Sequence, residues 1–215
     1  MLHGSAEQGL VARISYTEFT LCGQPGLAGK DCIQFHMTGD ASKSLVTGNS
    51  IHHTFARGIT LEGTSYLTVK LNVGYSISGH NIFLKDGIEQ YNSIENNLMI
   101  SSLQAFDLLQ SDLTVASYYI SNPLNVVKNN RAAGSDFYGF LYQIKSHPTG
   151  GSATADICPV GLPVSGGFHD NIAHSNKKIG FKISHLWSSQ NPCKPIRNDA
   201  SADPWLTNPS VQNKF

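Results

Sequence analysis

The chain has 215 residues, of which 40% are hydrophobic, so it can bury one sizeable core as a single domain. Charged residues make up only 14% and divide into 15 basic and 15 acidic side chains, which excludes the basic surface that nucleic-acid binding requires. No apolar run approaches the roughly 18 residues of a membrane span, and no signal peptide is recognisable, so we expect any export signal to lie outside this chain.

The low charge, the 20 glycines and the many Asn, Ser and Thr residues favour an extracellular or cell-surface protein. The four cysteines show neither CxxC spacing nor metal-type spacing with histidine, so we predict no metal site and no cofactor. Their even number suggests two disulfides, with four free thiols as the alternative. We predict that Cys22 pairs with Cys32 across a Gly-rich loop. We predict that Cys158 pairs with Cys193, because each stands beside proline in a loop-like segment.

Asparagine marks a repeat along the chain. Asn49 is followed nine residues later by Gly58, and then by the alternating apolar residues Ile59 and Leu61. The same offset leads from Asn72 to Ile82 and Leu84, from Asn130 to Phe140 and Tyr142, and from Asn171 to Phe181 and Ile183. Period-two alternation predicts a short strand with one face in a common core in each repeat. The Gly or Asn before each strand predicts a sharp bend with positive φ.

The asparagine spacing predicts the fold. From Asn49 through Asn72, Asn97 and Asn130 to Asn171 the steps are 23, 25, 33 and 41 residues, and the first two match one coil of a solenoid. Gly, Asn and β-branched residues interrupt every run long enough for a helix. We therefore predict an all-β, right-handed parallel β-helix in which the asparagines form a ladder along the stack.

The domain organisation follows from this repeat. We expect one β-helix segment over residues 1–215, with regular coils over about 12–185 and an extended C-terminal segment over 186–215. The longer steps predict inserted loops at 101–112, with helical turns near 103–109, and at 146–163.

Six strings of the sequence carry a family resemblance. They are CIQFHM (32–37), SIHH (50–53), GHNIFLKDGIE (79–89), NRAAGS (130–135), HPTG (147–150) and NIAHSN (171–176). Together they resemble the β-helix region shared by fibrocystin, fibrocystin-like proteins and the hyaluronidase-type proteins that also carry a G8 domain. The resemblance runs from about Ala12 to Phe215 and implies that the chain is an excerpt of a longer protein.

The resemblance implies a right-handed parallel β-helix that acts outside the cell or on its surface. Some members of the family that the chain resembles bind or depolymerise hyaluronan. Gln34 stands where the family string usually has histidine, and the family's G8 domain is not part of this chain, so we expect the fold to carry over more safely than the activity.

A group of histidines and carboxylates is the candidate for catalysis. His52 and Tyr75 occupy the same register position in successive repeats, and His80, Asp86 and Glu89 follow within one coil. Histidine beside carboxylates is the raw material of general acid and base catalysis, including glycan cleavage. We predict a solvent-facing groove with four catalytic residues: His52, His80, Asp86 and Glu89. The alternative is that these side chains are hydrogen-bonded in turns and between coils.

Four further residues are candidates for glycan binding: His53, Tyr75, Tyr119 and Arg57. An outward aromatic ring can stack on a sugar, and a cation can pair with a uronate carboxylate. Core packing of the aromatic rings and ordinary surface exposure of the cations are the alternatives.

Two classes of function remain. The first is a structural or adhesive spacer, or filament component, that contacts neighbouring domains or copies of the same protein. The second is a polysaccharide-binding or hyaluronidase-like module directed at a hyaluronan-like glycan. The low net charge favours the first and the histidine group favours the second, so whether the chain is an enzyme stays open at this point.

Overall fold

The computed structural model describes residues 2–3, 10–104, 112–163 and 167–183. In this part of the chain the strands follow in sets of three, and each set forms one coil. The six coils contain β1 (Leu2–His3), β2 (Arg13–Ser15) and β3 (Glu18–Thr20); β4 (Ile33–Asp40), β5 (Leu45–Thr47) and β6 (Ser50–Thr54); β7 (Ile59–Ser65), β8 (Thr68–Lys70) and β9 (Val73–Ser78); β10 (Ile82–Leu84), β11 (Ser93–Glu95) and β12 (Leu98–Leu103); β13 (Ala116–Ile120), β14 (Val126–Lys128) and β15 (Arg131–Ala133); β16 (Tyr138–Tyr142), β17 (Phe168–His169) and β18 (Ile172–His174). A last strand, β19 (Ile179–Ile183), begins a seventh coil.

Each strand pairs in parallel with the corresponding strand of the next coil, which builds three sheets. Sheet A contains the first strand of every coil and β19, sheet B the second strands and sheet C the third strands. Crossover connections between parallel strands of one sheet are right-handed with few exceptions. The chain is therefore the right-handed parallel β-helix that the repeat predicted.

The core lies between the three sheets and consists of columns of side chains at the same register position. One column of sheet A contains Ile33, Ile59, Ile82, Tyr118 and Phe140, and the next contains Phe35, Leu61, Leu84, Ile120 and Tyr142. All ten side chains are at most 4% exposed. The predicted core positions in the third, fourth and sixth coils are thereby confirmed.

The prediction is wrong for Phe181, which is 43% exposed, and Ile183 is only partly buried. Both continue the columns, since they pair with Phe140 and Tyr142. They lie in β19, and within the described residues no further strand of sheet A stacks on it. A coil at the end of the described stack buries its apolar residues on one side only.

The asparagine ladder is also confirmed. The side-chain amide of Asn49 donates to Asn72 Oδ1 at 2.9 Å, and Asn72 donates to Asn97 Oδ1 at 3.0 Å. Asn97 and Asn130 continue the chain of hydrogen bonds at 3.1 Å each, ending on Asn171. A second, unpredicted rung joins Asn92 to Asn125 at 2.9 Å. Buried amides are thus satisfied from coil to coil along the stack.

The sharp bends do not lie where the sequence placed them. Gly58 and Gly139 have no positive φ; instead, a Cβ on either would lie 2.6 Å from a backbone oxygen of the adjacent coil, so close packing requires glycine there. Positive φ values of 51° to 67° occur between sheets B and C, one residue before the ladder position. The residues are Tyr16, Gly48, Leu71, Asn96, Asn129 and Asp170.

Two disulfides were predicted. The structure joins Cys22 to Cys32, as expected, and Cys158 is also disulfide-bonded. Cys193, the partner predicted for Cys158, lies outside the described residues, as do the extended segment 186–215 and most of the predicted helical turns at 103–109. Ser146–Pro163 is an insertion between β16 and β17, as predicted, with 3-10 turns at Gly150–Ser152 and Pro159–Gly161.

We predict that peptide mapping of the unreduced protein will recover one peptide pair linked through Cys158 and Cys193. Cys158 precedes a proline and Cys193 follows one, as is typical of loop segments. The pair Cys22–Cys32 serves as the internal standard, since it closes a loop with a sequence separation of 10. Recovery of Cys193 as an alkylated free thiol would refute this pairing.

Candidate functional site

Sheet A carries a row of side chains that point away from the core. Strand alternation turns one register position of neighbouring coils outward, occupied by Gln34, Thr60, Phe83, Tyr119 and Leu141. These side chains are nevertheless at most 9% exposed. Outward orientation in this sheet therefore does not mean contact with solvent.

His80 lies inside an aromatic and ionic cluster on this face. Its Nδ1 accepts a hydrogen bond from the Ala116 backbone N–H at 2.9 Å, and its Nε2 lies 3.2 Å from Asp112 Oδ1. The ring stacks on Phe83 with centroids 4.8 Å apart and lies 4.9 Å from the ring of Tyr119. His80 is fully buried, so the predicted open groove containing His52 and His80 is wrong.

Arg57 and Tyr119 belong to the same cluster and are not at the surface. Arg57 is 4% exposed, donates from Nε to Asp112 Oδ1 at 2.8 Å and lies 4.2 Å above the ring of Phe83. Tyr119 is 9% exposed and packs against Phe83 at 4.7 Å. Their expected exposure for sugar contact is wrong, because contacts between coils and with Asp112 cover both side chains.

Glu89 is a structural carboxylate. It is fully buried and accepts hydrogen bonds from the backbone N–H groups of Gly63, Asp86 and Gly87 at 2.7–3.0 Å, and from Ser121 Oγ at 3.1 Å. Burial raises the pKa of Glu89, and the donated hydrogen bonds oppose that shift. The side chain thereby connects three coils through the loop between β10 and β11.

Asp86 is covered by the first turn of the 146–163 insertion. Its backbone oxygen accepts from Thr149 N at 2.9 Å, and its Oδ2 accepts from Ser152 Oγ at 3.0 Å. Its Oδ1 is buried without a hydrogen-bond partner, and a Cβ on Gly150 would lie only 2.6 Å from it. Burial raises the pKa of Asp86, while burial lowers the pKa of Lys145, whose Nζ donates to Thr149 Oγ1.

Beside Asp86 lies a half-open group of residues, here called the Glu62 cluster: Gln34, His36, Glu62 and Lys85. Lys85 Nζ and Gln34 Nε2 donate hydrogen bonds to Glu62 at 2.6 Å and 3.1 Å, and His36 Nδ1 lies 2.9 Å from Glu62 Oε2. The side chains of His36 and Lys85 are 28% and 27% exposed, against 5% for Glu62. Burial alone would raise the pKa of Glu62, but hydrogen bonds and charges of Lys85 and His36 lower it.

Backbone strain occurs at the same place. Met37 has a φ of 52°, a left-handed value that is unusual for this residue type, and the register of β4 against β7 shifts between His36 and Gly39. Met37 Sδ lies 3.8 Å from Ser152 Oγ. Bulges and strained residues are concentrated near functional sites, as are carboxylates and amines with shifted pKa values. This makes the Glu62 cluster the candidate site on sheet A.

The remaining predicted residues lie on the outer surface of sheet C. His52 Nε2 is 2.8 Å from Glu18 Oε1, and His52 Nδ1 is 2.9 Å from His53 Nδ1. The rings of His53 and Tyr75 meet edge to face at 5.4 Å, and both residues are exposed. The structure therefore divides the predicted site. Tyr119 lies on sheet A, and the connections that precede or follow its strands hold Arg57, His80, Asp86 and Glu89. His52, His53 and Tyr75 lie on sheet C.

Comparison with known proteins identifies the family. The sequence profile described as CEMIP beta-helix matches residues 3–181, which is most of the chain. The chain belongs to the CEMIP β-helix family. Its relatives include Fibrocystin-L of Mus musculus, which is 37% identical over 175 residues, covering 81% of this chain and 4% of that protein. Cell surface hyaluronidase CEMIP2 of Homo sapiens is 32% identical over 208 residues, covering 79% of this chain and 14% of that protein.

A third relative in the CEMIP β-helix family is the human cell migration-inducing and hyaluronan-binding protein, 30% identical over 212 residues, with 81% of this chain and 15% of that protein covered. The chain thus spans less than a sixth of each of these three relatives. Family membership establishes a β-helix module, and the activity of the much longer relatives does not transfer with it. In the described residues no helix has the length and apolar character to cross a membrane.

Asp86 offers a pH test of this site in the CEMIP β-helix module. The pKa of Asp86 is raised in the folded state above its ordinary value near 3.8, so the folded protein holds the proton more tightly than the unfolded chain does. The protein therefore loses stability as the pH rises from the unfolded-state pKa to the folded-state pKa. Asp86→Asn does not titrate. We expect the free energy of unfolding of Asp86→Asn, minus that of the parent, to increase as the pH rises from about 4 toward neutrality.

The control for this test is Asp40→Asn. Asp40 is exposed and hydrogen bonds from Ser42 lower its pKa, so its contribution to stability is lost as the pH falls, which is the opposite sign. Denaturant unfolding across the pH range measures both differences. A difference for Asp86→Asn that does not change with pH would contradict the inferred burial of the charged carboxylate.

Proposed function

We propose that this chain is an extracellular or cell-surface β-helix module with a structural role, a rigid spacer that positions neighbouring domains or further copies of the same protein. The observation that carries the proposal is the continuous amide ladder from Asn49 to Asn171, which ties five successive coils together through buried side chains. Stability in a solenoid comes from contacts between neighbouring coils, so such a ladder stiffens the stack along its axis.

The positions of three of the four candidate catalytic residues, all but His52, support the same proposal. His80 and Glu89 are fully buried and use their polar atoms on neighbouring coils. Asp86 is equally buried beneath the 149–152 turn. A substrate would reach Asp86 only if this turn moved away. Extracellular placement is supported by the disulfides and by relatives whose names place them at the cell surface.

Incubation of the purified chain with hyaluronan and related uronate polymers tests the spacer proposal. We expect no change in polymer length by gel filtration with light scattering, and no retention of the chain on immobilised polymer. Cleavage that disappears in Asp86→Asn, in a variant that circular dichroism shows to be folded, would overturn the proposal and assign an enzymatic role to the module.

Polysaccharide binding is the second candidate, and the Glu62 cluster favours it. Lys85 and His36 are partly exposed beside a buried carboxylate, where hydroxyl and carboxylate groups of a uronate sugar would find donors. The names of two relatives, a cell surface hyaluronidase and a hyaluronan-binding protein, point to the same class of ligand. The exposed pair His53 and Tyr75 on sheet C is the alternative surface for a sugar.

Matched lysine variants separate these possibilities. If the Glu62 cluster binds the glycan, Lys85→Met weakens binding to hyaluronan oligosaccharides, while Lys70→Met, which removes an exposed lysine on sheet B, leaves it unchanged. If sheet C binds the glycan, Tyr75→Ala weakens binding and Lys85→Met does not. Absence of binding in the parent at millimolar oligosaccharide excludes both surfaces.

A further inference from the structure

Coil 2 presents two adjacent histidines on the same outer surface of sheet C. Consecutive side chains of a strand normally point to opposite faces. His53 has a φ of 50°, which breaks this alternation, so both His52 and His53 face outward. Their Nδ1 atoms are 2.9 Å apart, and the two rings are perpendicular with centroids separated by 5.1 Å.

This separation suits a chelated metal ion. Imidazole nitrogens bind transition metals at about 2.0–2.1 Å, so two nitrogens at right angles around one ion lie about 2.8–3.0 Å apart. We propose that His52 and His53 bind a divalent transition-metal ion through their Nδ1 atoms. Without metal the 2.9 Å separation is that of a hydrogen bond between the two Nδ1 atoms, so the metal ion takes the place of the shared proton, which is released to solvent. A nitrogen–metal–nitrogen angle near 90° favours ions with tetragonal coordination, such as Cu²⁺, over Zn²⁺, which prefers tetrahedral coordination.

Glu18 completes the arrangement expected of a metal-binding histidine. Its Oε1 lies 2.8 Å from His52 Nε2, on the side of the ring opposite to the Nδ1 atom that would hold the metal. A histidine that donates its distal N–H to a carboxylate keeps the other nitrogen unprotonated and better able to bind a metal. Tyr75 limits the motion of the His53 ring through the edge-to-face contact at 5.4 Å.

The site is open to solvent. The side chain of His52 is 24% exposed, that of Glu18 is 69% exposed, and His53 is exposed. Within the described ranges no group of three or more His, Cys, Asp or Glu side chains is arranged to hold a metal ion. Water would therefore fill the remaining coordination positions, as expected of an exchangeable surface site rather than a closed structural one.

The repeat supplies an internal control. The residues at the positions of His52 and His53 are Tyr75 and Ser76 in the third coil, and His174 and Ser175 in the sixth. Ser76 and Ser175 share the left-handed backbone of His53, with φ values of 55° and 57°. Serine is thus accommodated at this bend, and His53→Ser converts the pair of coil 2 into the pair of coil 6 without a new backbone requirement.

Titration of Cu²⁺ into the full 215-residue chain, with its α-amine acetylated so that it cannot bind Cu²⁺ together with His3, followed by calorimetry and electron paramagnetic resonance, tests the site. We expect one Cu²⁺ per chain with hyperfine coupling to two imidazole nitrogens. His53→Ser should weaken binding by at least about 10-fold and leave one nitrogen, and Glu18→Gln should weaken it by about 10-fold. His174→Ser should bind as the parent does.

The proposal is overturned if the parent shows no two-nitrogen signal, or if His53→Ser binds Cu²⁺ as tightly as the parent. It is also overturned if His174→Ser weakens binding as much as His53→Ser, because ordinary surface histidines would then account for the signal. Far-ultraviolet circular dichroism of each variant shows whether the coils remain folded.

Discussion

Ile82→Ala should lower the free energy of unfolding by roughly 2 to 5 kcal/mol, as found for other large-to-small changes in close-packed cores. Ile82 is fully buried at the centre of sheet A, between Ile59 of the preceding coil and Tyr118 of the following one. Coils stacked on both sides restrict the collapse of the cavity that the substitution leaves. Urea denaturation measures the loss, and an unchanged m value shows that the unfolding transition is otherwise the same.

The matched control is Ile172→Ala, the same substitution at a residue of sheet C that is 46% exposed. Its effect should lie within about 0.5 kcal/mol, as for most surface substitutions. Similar losses in the two variants would mean that Ile82 does not occupy the centre of a continuous core, and that the assigned register of the coils is wrong.

The sequence determines the core well where a coil has regular length. The ten residues from Asn72 to Ile82 span the sheet C strand and the bend into sheet A, and the same spacing recurs from Asn49 to Ile59 and from Asn130 to Phe140. The rule fails after Asn97, because residues inserted after β12 delay the next strand of sheet A until Ala116. In this coil Tyr118 has the register position that Ile82 and Phe140 have in the neighbouring coils, but it comes 21 residues after Asn97 instead of ten.

The candidate site was harder to predict because alternation separates the two faces of a strand but does not show what covers the outer one. Arg57 and Tyr119 point outward, yet Asp112 and neighbouring rings bury them. Asp112 lies in an inserted segment with no repeat to indicate its position. Insertions therefore decide which outward residues meet solvent, and their packing leaves no periodic signal in the sequence.

The Glu62 cluster could have been predicted in part. His36 and Glu62 are paired across β4 and β7, and Lys85 follows the core residue Leu84 as Glu62 follows Leu61. Aligning the coils on their core columns therefore brings an acidic side chain between two basic ones. The interaction between Lys145 and Asp86 could not be predicted in this way. Lys145 donates to Thr149, which lies in the irregular 146–163 insertion, and this insertion has no counterpart in the other coils.

Glu89→Ala should destabilise the protein by about 3 to 5 kcal/mol, because it leaves buried backbone donors of three residues without an acceptor. These donors belong to Gly63, Asp86 and Gly87, which lie in two neighbouring coils. The loss of the hydrogen bond from Ser121 adds a third coil to the disturbance. The loop between β10 and β11 should therefore gain amide hydrogen exchange more than the rest of the chain, which mass spectrometry of exchanged peptides detects.

Two variants distinguish this role from a general effect of removing a carboxylate. Glu18→Ala removes an exposed carboxylate and should change the stability by no more than about 0.5 kcal/mol. Glu89→Gln keeps one acceptor oxygen but presents an amide N–H₂ to the remaining donors, so its loss should fall between those of the other two variants. If Glu89→Ala proved as stable as the parent, the carboxylate would be free to serve another purpose, and its assignment as scaffold would have to be given up.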